Sequence, residues 1–141
     1  TLGKIADVLQ ARGELDEALR IRREEELPVY ERLGDVRERA VTLGRIADVL
    51  QARGELDEAL RIREQEELPV YERLGDVREL LVARSKLATT LLRRDAEANR
   101  QEAGRLLALA LAEARRLRLP EAGRIEAMMI AAGVAQEENS P

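Results

Sequence analysis

The first 82 residues consist of two nearly identical copies of one 41-residue sequence. Residues 1–41 and 42–82 differ only at the pairs Lys4/Arg45, Arg23/Glu64, Glu24/Gln65, Arg39/Leu80 and Ala40/Leu81. Repeats of about 20–50 residues are typical of arrays in which neighbouring units stack, because one unit cannot bury its apolar face alone. The duplication therefore predicts a repeat array, a class of protein that usually presents surfaces rather than catalytic sites.

Each repeat is expected to fold into two helices. The Gly-Asp pairs at 34–35 and 75–76 are typical of a helix that ends at the glycine and a next helix capped by the aspartate. Apolar and small residues recur at every third or fourth position over 36–53, which indicates one face of a helix. The second helix of the repeat is predicted over 55–74.

A proline lies inside the second helix of each copy, at Pro28 and Pro69. An interior proline removes one hydrogen bond and clashes with the carbonyl four residues earlier. We therefore expect a kink or a short break just before each proline. A loop that joins two shorter helices is the alternative.

The repeat pattern weakens after residue 82 but remains recognisable. Lys86-Leu-Ala-Thr-Thr-Leu aligns with Arg45-Ile-Ala-Asp-Val-Leu at the same offset, and a longer turn follows near Asp95. Pro120 is a typical first residue of a last helix. We expect a single domain over 1–135 with repeats over about 1–34, 35–75 and 76–119, a capping helix over 120–135 and a disordered tail over 136–141.

The composition excludes several classes of function. The chain has no cysteine and no histidine, which removes disulfides, most zinc sites and the side chains best suited to nucleophilic or acid–base catalysis at neutral pH. It also lacks a glycine-rich phosphate loop. We expect no enzyme activity, no metal and no cofactor.

The charges also argue against two classes of partner. The 24 basic and 28 acidic residues are interspersed, without a basic stripe for nucleic acid or a basic amphipathic segment for a membrane surface. The most apolar stretches, 106–112 and 127–135, are too short to span a bilayer. A cytoplasmic protein is expected, and because the sequence starts inside a repeat, we interpret it as a segment of a longer one.

The segments Gly13-Glu-Leu-Asp-Glu-Ala-Leu and Gly54-Glu-Leu-Asp-Glu-Ala-Leu resemble the interhelix turn of the tetratricopeptide repeat (TPR) family, in its long-helix bacterial variety. The resemblance implies an all-α fold, a right-handed superhelix of about three helix pairs plus a C-terminal capping helix. In that family Ala18 and Ala59 would stand where the two helices approach most closely. The sequence departs from the family where Arg22 and Arg63 replace a large aromatic residue.

The resemblance further implies a concave groove along the first helix of each repeat. The residues at the groove positions are Lys4, Asp7, Gln10, Arg45, Asp48, Gln51, Ser85, Lys86, Thr89 and Arg93. In one interpretation Lys4–Asp7 and Arg45–Asp48 are ordinary exposed ion pairs.

In the other interpretation the groove binds a peptide, most strongly in the third repeat. Thr89 replaces the acid there, so Lys86 is expected to lack a partner and to attract a carboxylate. This predicts that Lys86→Glu weakens binding more than Lys4→Glu. Arg22 and Arg63 are expected to bridge to Glu25, to Glu66 or to the next repeat.

These observations predict a protein–protein interaction scaffold, a TPR segment of a larger protein that docks a partner peptide or domain in its groove. The alternative is a self-assembly or spacer module that forms homo-oligomers by end-to-end or side-by-side stacking, because near-identical units stack on one another. A groove whose residues differ from repeat to repeat favours binding, whereas a groove with the same residues in every repeat suits a spacer.

Overall fold

A computed structural model describes residues 1–134, and within them the protein is all-α, with seven helices and no strand. The helices are α1 (Leu2–Ala11), α2 (Leu15–Arg20, Ile21–Glu26 and Leu27–Leu33), α3 (Val36–Ala52), α4 (Leu56–Ile62, Arg63–Glu67 and Leu68–Leu74), α5 (Val77–Arg94), α6 (Ala96–Arg116) and α7 (Glu121–Ala132). The prediction of an all-α fold is confirmed. Ala135 and the tail that was expected to be disordered lie outside the described residues.

The turns between repeats follow from the Gly-Asp pairs. Gly34 adopts a left-handed backbone conformation (φ 67°) that ends α2, a conformation that glycine adopts without steric cost. The next residue, Asp35, caps α3 by accepting a hydrogen bond from the backbone N–H of Glu38 at 3.1 Å. Asp76 caps α5 in the same way, so the sequence signal for these boundaries is confirmed.

The chain stays helical through both prolines, because a stretch of π-helix precedes each one. In α2 this stretch is Ile21–Glu26, and the N–H of Leu27 donates to the carbonyl of Arg22, five residues earlier. In α4 the N–H of Leu68 donates to the carbonyl of Arg63. The wider turn relieves the clash between a proline ring and the carbonyl four residues back. The loop alternative is therefore wrong, and the expected irregularity is a change of helix type rather than a break.

The described chain divides into two compact units, an N-terminal unit over Thr1–Val70 and a C-terminal unit from Tyr71 onward. In the N-terminal unit α2 packs against both α1 and α3, and α3 packs against α4. A central cluster there contains Leu19, Leu43, Ile46, Ala47, Val49, Leu50, Ala59 and Ile62. In the C-terminal unit α5, α6 and α7 pack on one another around buried aliphatic residues and Met129.

Candidate docking groove

Five of the predicted site residues come together in the N-terminal unit. They are Lys4, Asp7, Gln10, Arg45 and Asp48, and they line two open pockets between α1 and α3 that share Asp7 and Arg45. We call this surface the α1–α3 groove. Glu26 and Tyr30 of α2 line the first pocket, and Arg22 lines the second.

A buried arginine forms the floor of the groove in the first repeat. The Arg22 side chain is 0% exposed, although it carries a full positive charge. Its Nη2 donates to Oδ1 of Asp7 on α1 at 2.5 Å, and its Nη1 donates to Oε1 of Glu26 at 3.3 Å. A buried charge is tolerated only when it is paired and hydrogen-bonded. Here two carboxylates bind the two Nη atoms of Arg22, whereas its buried Nε has no hydrogen-bond partner among residues 1–134.

The second repeat builds the same arrangement from the corresponding residues. Arg63 is also buried, and its Nη2 donates to Oδ1 of Asp48 at 2.7 Å and to Oε1 of Gln51 at 3.3 Å. Its Nη1 lies 3.7 Å from Oε1 of Glu67, so these two side chains form an ion pair. Gln51, a sixth predicted site residue, thus supports the groove from below.

The prediction of which acids pair with the two arginines is wrong by one residue. Glu25 and Glu66, the expected partners, instead bind Arg20 and Arg61 on the exposed side at 3.2 and 3.0 Å. The acids at the next position, Glu26 and Glu67, turn inward because they lie four residues after the arginine, on the same face. Both printed partners of Arg22, Asp7 and Glu26, belong to its own repeat.

Each inward-facing glutamate lies against a glycine on the first helix of its repeat. A Cβ on Gly44 would overlap the carboxylate of Glu67, and a Cβ on Gly3 would lie 2.7 Å from Oε2 of Glu26. Glycine therefore allows the carboxylate to lie directly against the helix backbone. The sequence reasoning missed this role, although the Gly-X3-Asp spacing shared by residues 3–7 and 44–48 is its signal.

The expected ion pairs Lys4–Asp7 and Arg45–Asp48 do not form, because the buried arginines take both aspartates. Lys4 and Arg45 are exposed, and neither has an ion-pair partner within residues 1–134. The interpretation of these residues as ordinary exposed ion pairs is therefore wrong. The consequence is a groove whose acids are held from below and whose two cations face solvent.

The remaining predicted site residues, Ser85, Lys86, Thr89 and Arg93, lie on α5 in the C-terminal unit. The hydroxyl of Ser85 donates to the carbonyl of Leu81 at 2.9 Å, and that of Thr89 donates to the carbonyl of Ser85 at 3.0 Å. Both hydroxyls are thus bonded to their own helix. Lys86 is half-buried and has an interaction partner, so the expectation that it lacks one is wrong.

The third repeat replaces the buried charges with leucines. The exposed pair of Glu102 and Arg105 corresponds to the pair of Glu58 and Arg61, since both are hydrogen-bonded three residues apart on the second helix of their repeat. Aligned on these pairs, Leu107 takes the place of Arg63 and Leu111 that of Glu67. Both leucines are buried. The charged floor is therefore a feature of the first two repeats.

Among residues 1–134, no helix is long and apolar enough to cross a bilayer, and no three acidic side chains are grouped as metal ligands. No model of a known family matches the sequence, and no curated protein or solved structure matches it. The TPR resemblance stays a prediction that rests on the turn motif and the repeat length.

Proposed function

We propose that the protein is an interaction scaffold that docks a partner peptide or domain in the α1–α3 groove, and that acidic side chains of the partner contact Lys4 and Arg45. The observation that carries this proposal is the separation of charges in the groove. Asp7 and Asp48 are bound by buried arginines, whereas the two exposed cations lack ion-pair partners in the part of the chain that the structure describes.

The geometry of the first pocket supports the same proposal. Lys4 and Arg45 line it together with the half-buried Val29 and Tyr30, so charged and apolar surface lie side by side. A peptide that places a carboxylate between the two cations would also lay an apolar side chain against Tyr30. Such a combination of one charged anchor and one apolar anchor is typical of peptide recognition.

The buried network beneath the groove supports it further, because a docking surface binds more tightly when its shape is fixed beforehand. Arg22 holds α1 against α2, and Arg63 holds α3 against α4. Asp7 binds Arg22 through Oδ1, and its side chain remains 56% exposed. It can therefore accept a hydrogen bond from a peptide N–H while Arg22 keeps it in place.

Selection of binders from a random peptide library on the immobilised chain tests the proposal. Enriched peptides are expected to be acidic, and their affinity measured by calorimetry is expected to fall about tenfold or more in Arg45→Glu, since a like charge then faces the carboxylate. Arg32→Glu is the matched control, because Arg32 is exposed on α2 and does not line either pocket. Equal affinities for the two variants, or no enrichment at all, would contradict the proposal.

Self-assembly is the second candidate function, and the exposed apolar side chains of α1 favour it. Ile5 and Val8 are both more than half exposed. Light scattering coupled to size exclusion over a wide concentration range distinguishes the two functions. The docking proposal expects the mass of a single chain throughout, whereas a mass that grows with concentration would favour assembly.

A further inference from the structure

The first two repeats use the same glutamine in different ways. Gln51 of α3 accepts a hydrogen bond from Nη2 of the buried Arg63 at 3.3 Å. Gln10 stands at the same position of α1, within the identical residues 5–12 and 46–53. Its side chain is half-buried and yet makes no hydrogen bond with any group of residues 1–134. The first repeat therefore holds a primary amide whose donors and acceptor are unused.

The unused amide of Gln10 lines the second pocket of the α1–α3 groove, together with Asp7, Arg22, Arg45 and Asp48. Asp7 binds Arg22 through Oδ1, and because a carboxylate accepts several hydrogen bonds and this one is 56% exposed, it can accept more. Arg45 is exposed and has no ion-pair partner in the described chain, so its guanidinium can donate. The pocket thus offers both donors and acceptors to a ligand.

This side of a first helix stays open even where a repeat precedes it. On α3, Ile46 is buried in the cluster that also contains Leu19 of α2. Arg45 of the same helix nevertheless remains exposed, and Gln51 remains only half-buried. A further repeat stacked on α1 in the same way would cover the apolar counterparts and leave the pocket at Gln10 accessible.

The charges around the pocket favour an uncharged ligand. Arg22 and Arg45 balance Asp7 and Asp48, so the four side chains carry no net charge. A carboxylate in this pocket would lie beside two aspartates, and like charges placed side by side oppose binding. A neutral polar group avoids this repulsion and still uses the hydrogen-bonding groups of the walls.

We propose that this pocket binds a primary carboxamide, the side chain of an asparagine or glutamine in the docked partner. A primary carboxamide has two N–H donors and two carbonyl lone pairs. The amide of Gln10 pairs with one donor and one lone pair, Asp7 accepts from the second N–H, and Arg45 donates to the second lone pair. Each polar atom of the ligand then has a partner, which offsets its removal from water. This inference rests on the proposed function, since the amide belongs to the partner in the groove.

Parallel selections from one random peptide library test the inference. The immobilised chains are the unmodified protein, Gln10→Met and the control Gln65→Met, whose glutamine is exposed on α4 and lines neither pocket. Acidic residues are expected to be enriched on all three. Asparagine and glutamine are expected to be enriched about threefold or more on the unmodified chain and on Gln65→Met, but not on Gln10→Met, because methionine fills a similar space without these hydrogen bonds.

Calorimetry with one enriched peptide then distinguishes recognition of a side chain from recognition of the peptide backbone. Replacing the amide residue of the peptide by methionine is expected to weaken binding to the unmodified chain about fivefold or more. The same replacement is expected to change the affinity for Gln10→Met by less than about twofold, because the partner of the amide is already missing. Far-UV circular dichroism checks that Gln10→Met is folded.

Three results would overturn the inference, and they bear differently on the proposed function. Acidic peptides without enriched asparagine or glutamine, or with an enrichment that Gln10→Met does not reduce, would leave the proposed function intact. So would an equal loss of affinity in Gln10→Met for peptides with and without the amide, because Gln10 would then contact the peptide backbone. The absence of any enriched peptide would contradict the proposed function as well.

Discussion

Arg22 and Arg63 each place a guanidinium in the protein interior, at a position where the third repeat has a leucine. Removing an ion pair from water costs about as much as the attraction between its charges returns, so such a network adds little net stability over leucines of similar volume. The third repeat, with Leu107 and Leu111 at the corresponding positions, shows that the same chain also builds an apolar version. We therefore infer that the buried charges of the first two repeats serve to hold Asp7 and Asp48 in the groove, and not to stabilise the fold.

Substitution of Arg63 tests this interpretation at the residue scale. Arg63→Leu alone removes the arginine that pairs with the buried Glu67, and we expect the free energy of unfolding to fall by about 3–5 kcal/mol. The double variant Arg63→Leu/Glu67→Leu copies the third repeat and is expected to recover to within about 1 kcal/mol of the unmodified chain. Urea denaturation followed by circular dichroism measures both. A double variant as unstable as the single one would contradict the interpretation.

Gly44 offers a second test at the same scale. Alanine at this position would displace the carboxylate of Glu67, which is buried and paired with Arg63, and we expect a loss of about 1–2 kcal/mol. Gly123 is the matched control, because it is an exposed helical glycine whose Cβ would meet open space. Gly123→Ala is expected to add about 0.5–1 kcal/mol from helix propensity. A stabilised Gly44→Ala variant would show that Glu67 moves aside without cost.

Sequence reasoning missed residues whose role depends on where their side chains point and not on the residue type. The run Arg22-Arg-Glu-Glu-Glu reads as a charged surface, and only the helix geometry shows that Arg22 and Glu26 point inward while Glu25 points out. The whole run lies within the π-helical stretch Ile21–Glu26. The order of the charged residues alone therefore does not show which of the acids is buried.

At the scale of elements, the sequence predicted the helix ends and an irregularity before each proline, but not the type of that irregularity. The caps at Asp35 and Asp76 act locally, through hydrogen bonds that span three residues, so a short sequence motif is enough to predict them. Each π-helical stretch precedes a proline, Pro28 or Pro69, so the proline marks the place of the irregularity and the structure shows its form.

An ion pair joins the N-terminus of α7 to α5, and its strength depends on pH. Nε and Nη2 of Arg78 donate to the two carboxylate oxygens of Glu121 at 2.7 and 3.2 Å. The hydrogen bond from Arg78 is the main reason why the pKa of Glu121 lies below its ordinary value of 4.5. A carboxylate with a lowered pKa stabilises the fold above its unfolded pKa, and this stabilisation is lost as the pH falls through the folded pKa.

We therefore expect the melting temperature of the unmodified chain to fall more steeply than that of Glu121→Gln as the pH is lowered from about 6 to about 3. Glu126→Gln is the control, because Glu126 binds the exposed Arg115 at 3.1 Å and stays on the surface of α7. Thermal denaturation at a series of pH values gives the slopes. Parallel slopes for the unmodified chain and Glu121→Gln would rule out this role of the Arg78–Glu121 pair.

At the scale of the whole molecule, the duplication predicts the elements of the fold but not which repeat binds. The sequence pointed to the third repeat, where Thr89 removes an acid, and expected Lys86 to be available. The structure instead leaves Lys4 and Arg45 exposed in the first two repeats, because the buried arginines pair with the aspartates beside them. We therefore expect Lys4→Glu to weaken partner binding at least as much as Lys86→Glu, the reverse of the order that the sequence predicted.

Mapping the binding surface tests the central claim most directly. An acidic peptide obtained by selection is titrated into the isotopically labelled chain, and the backbone amide shifts are followed by NMR. The account predicts that the largest shifts fall on Lys4, Asp7, Arg45 and Asp48, with only small changes on α5. Shifts concentrated around Lys86 and Thr89, or spread evenly over both units, would contradict it.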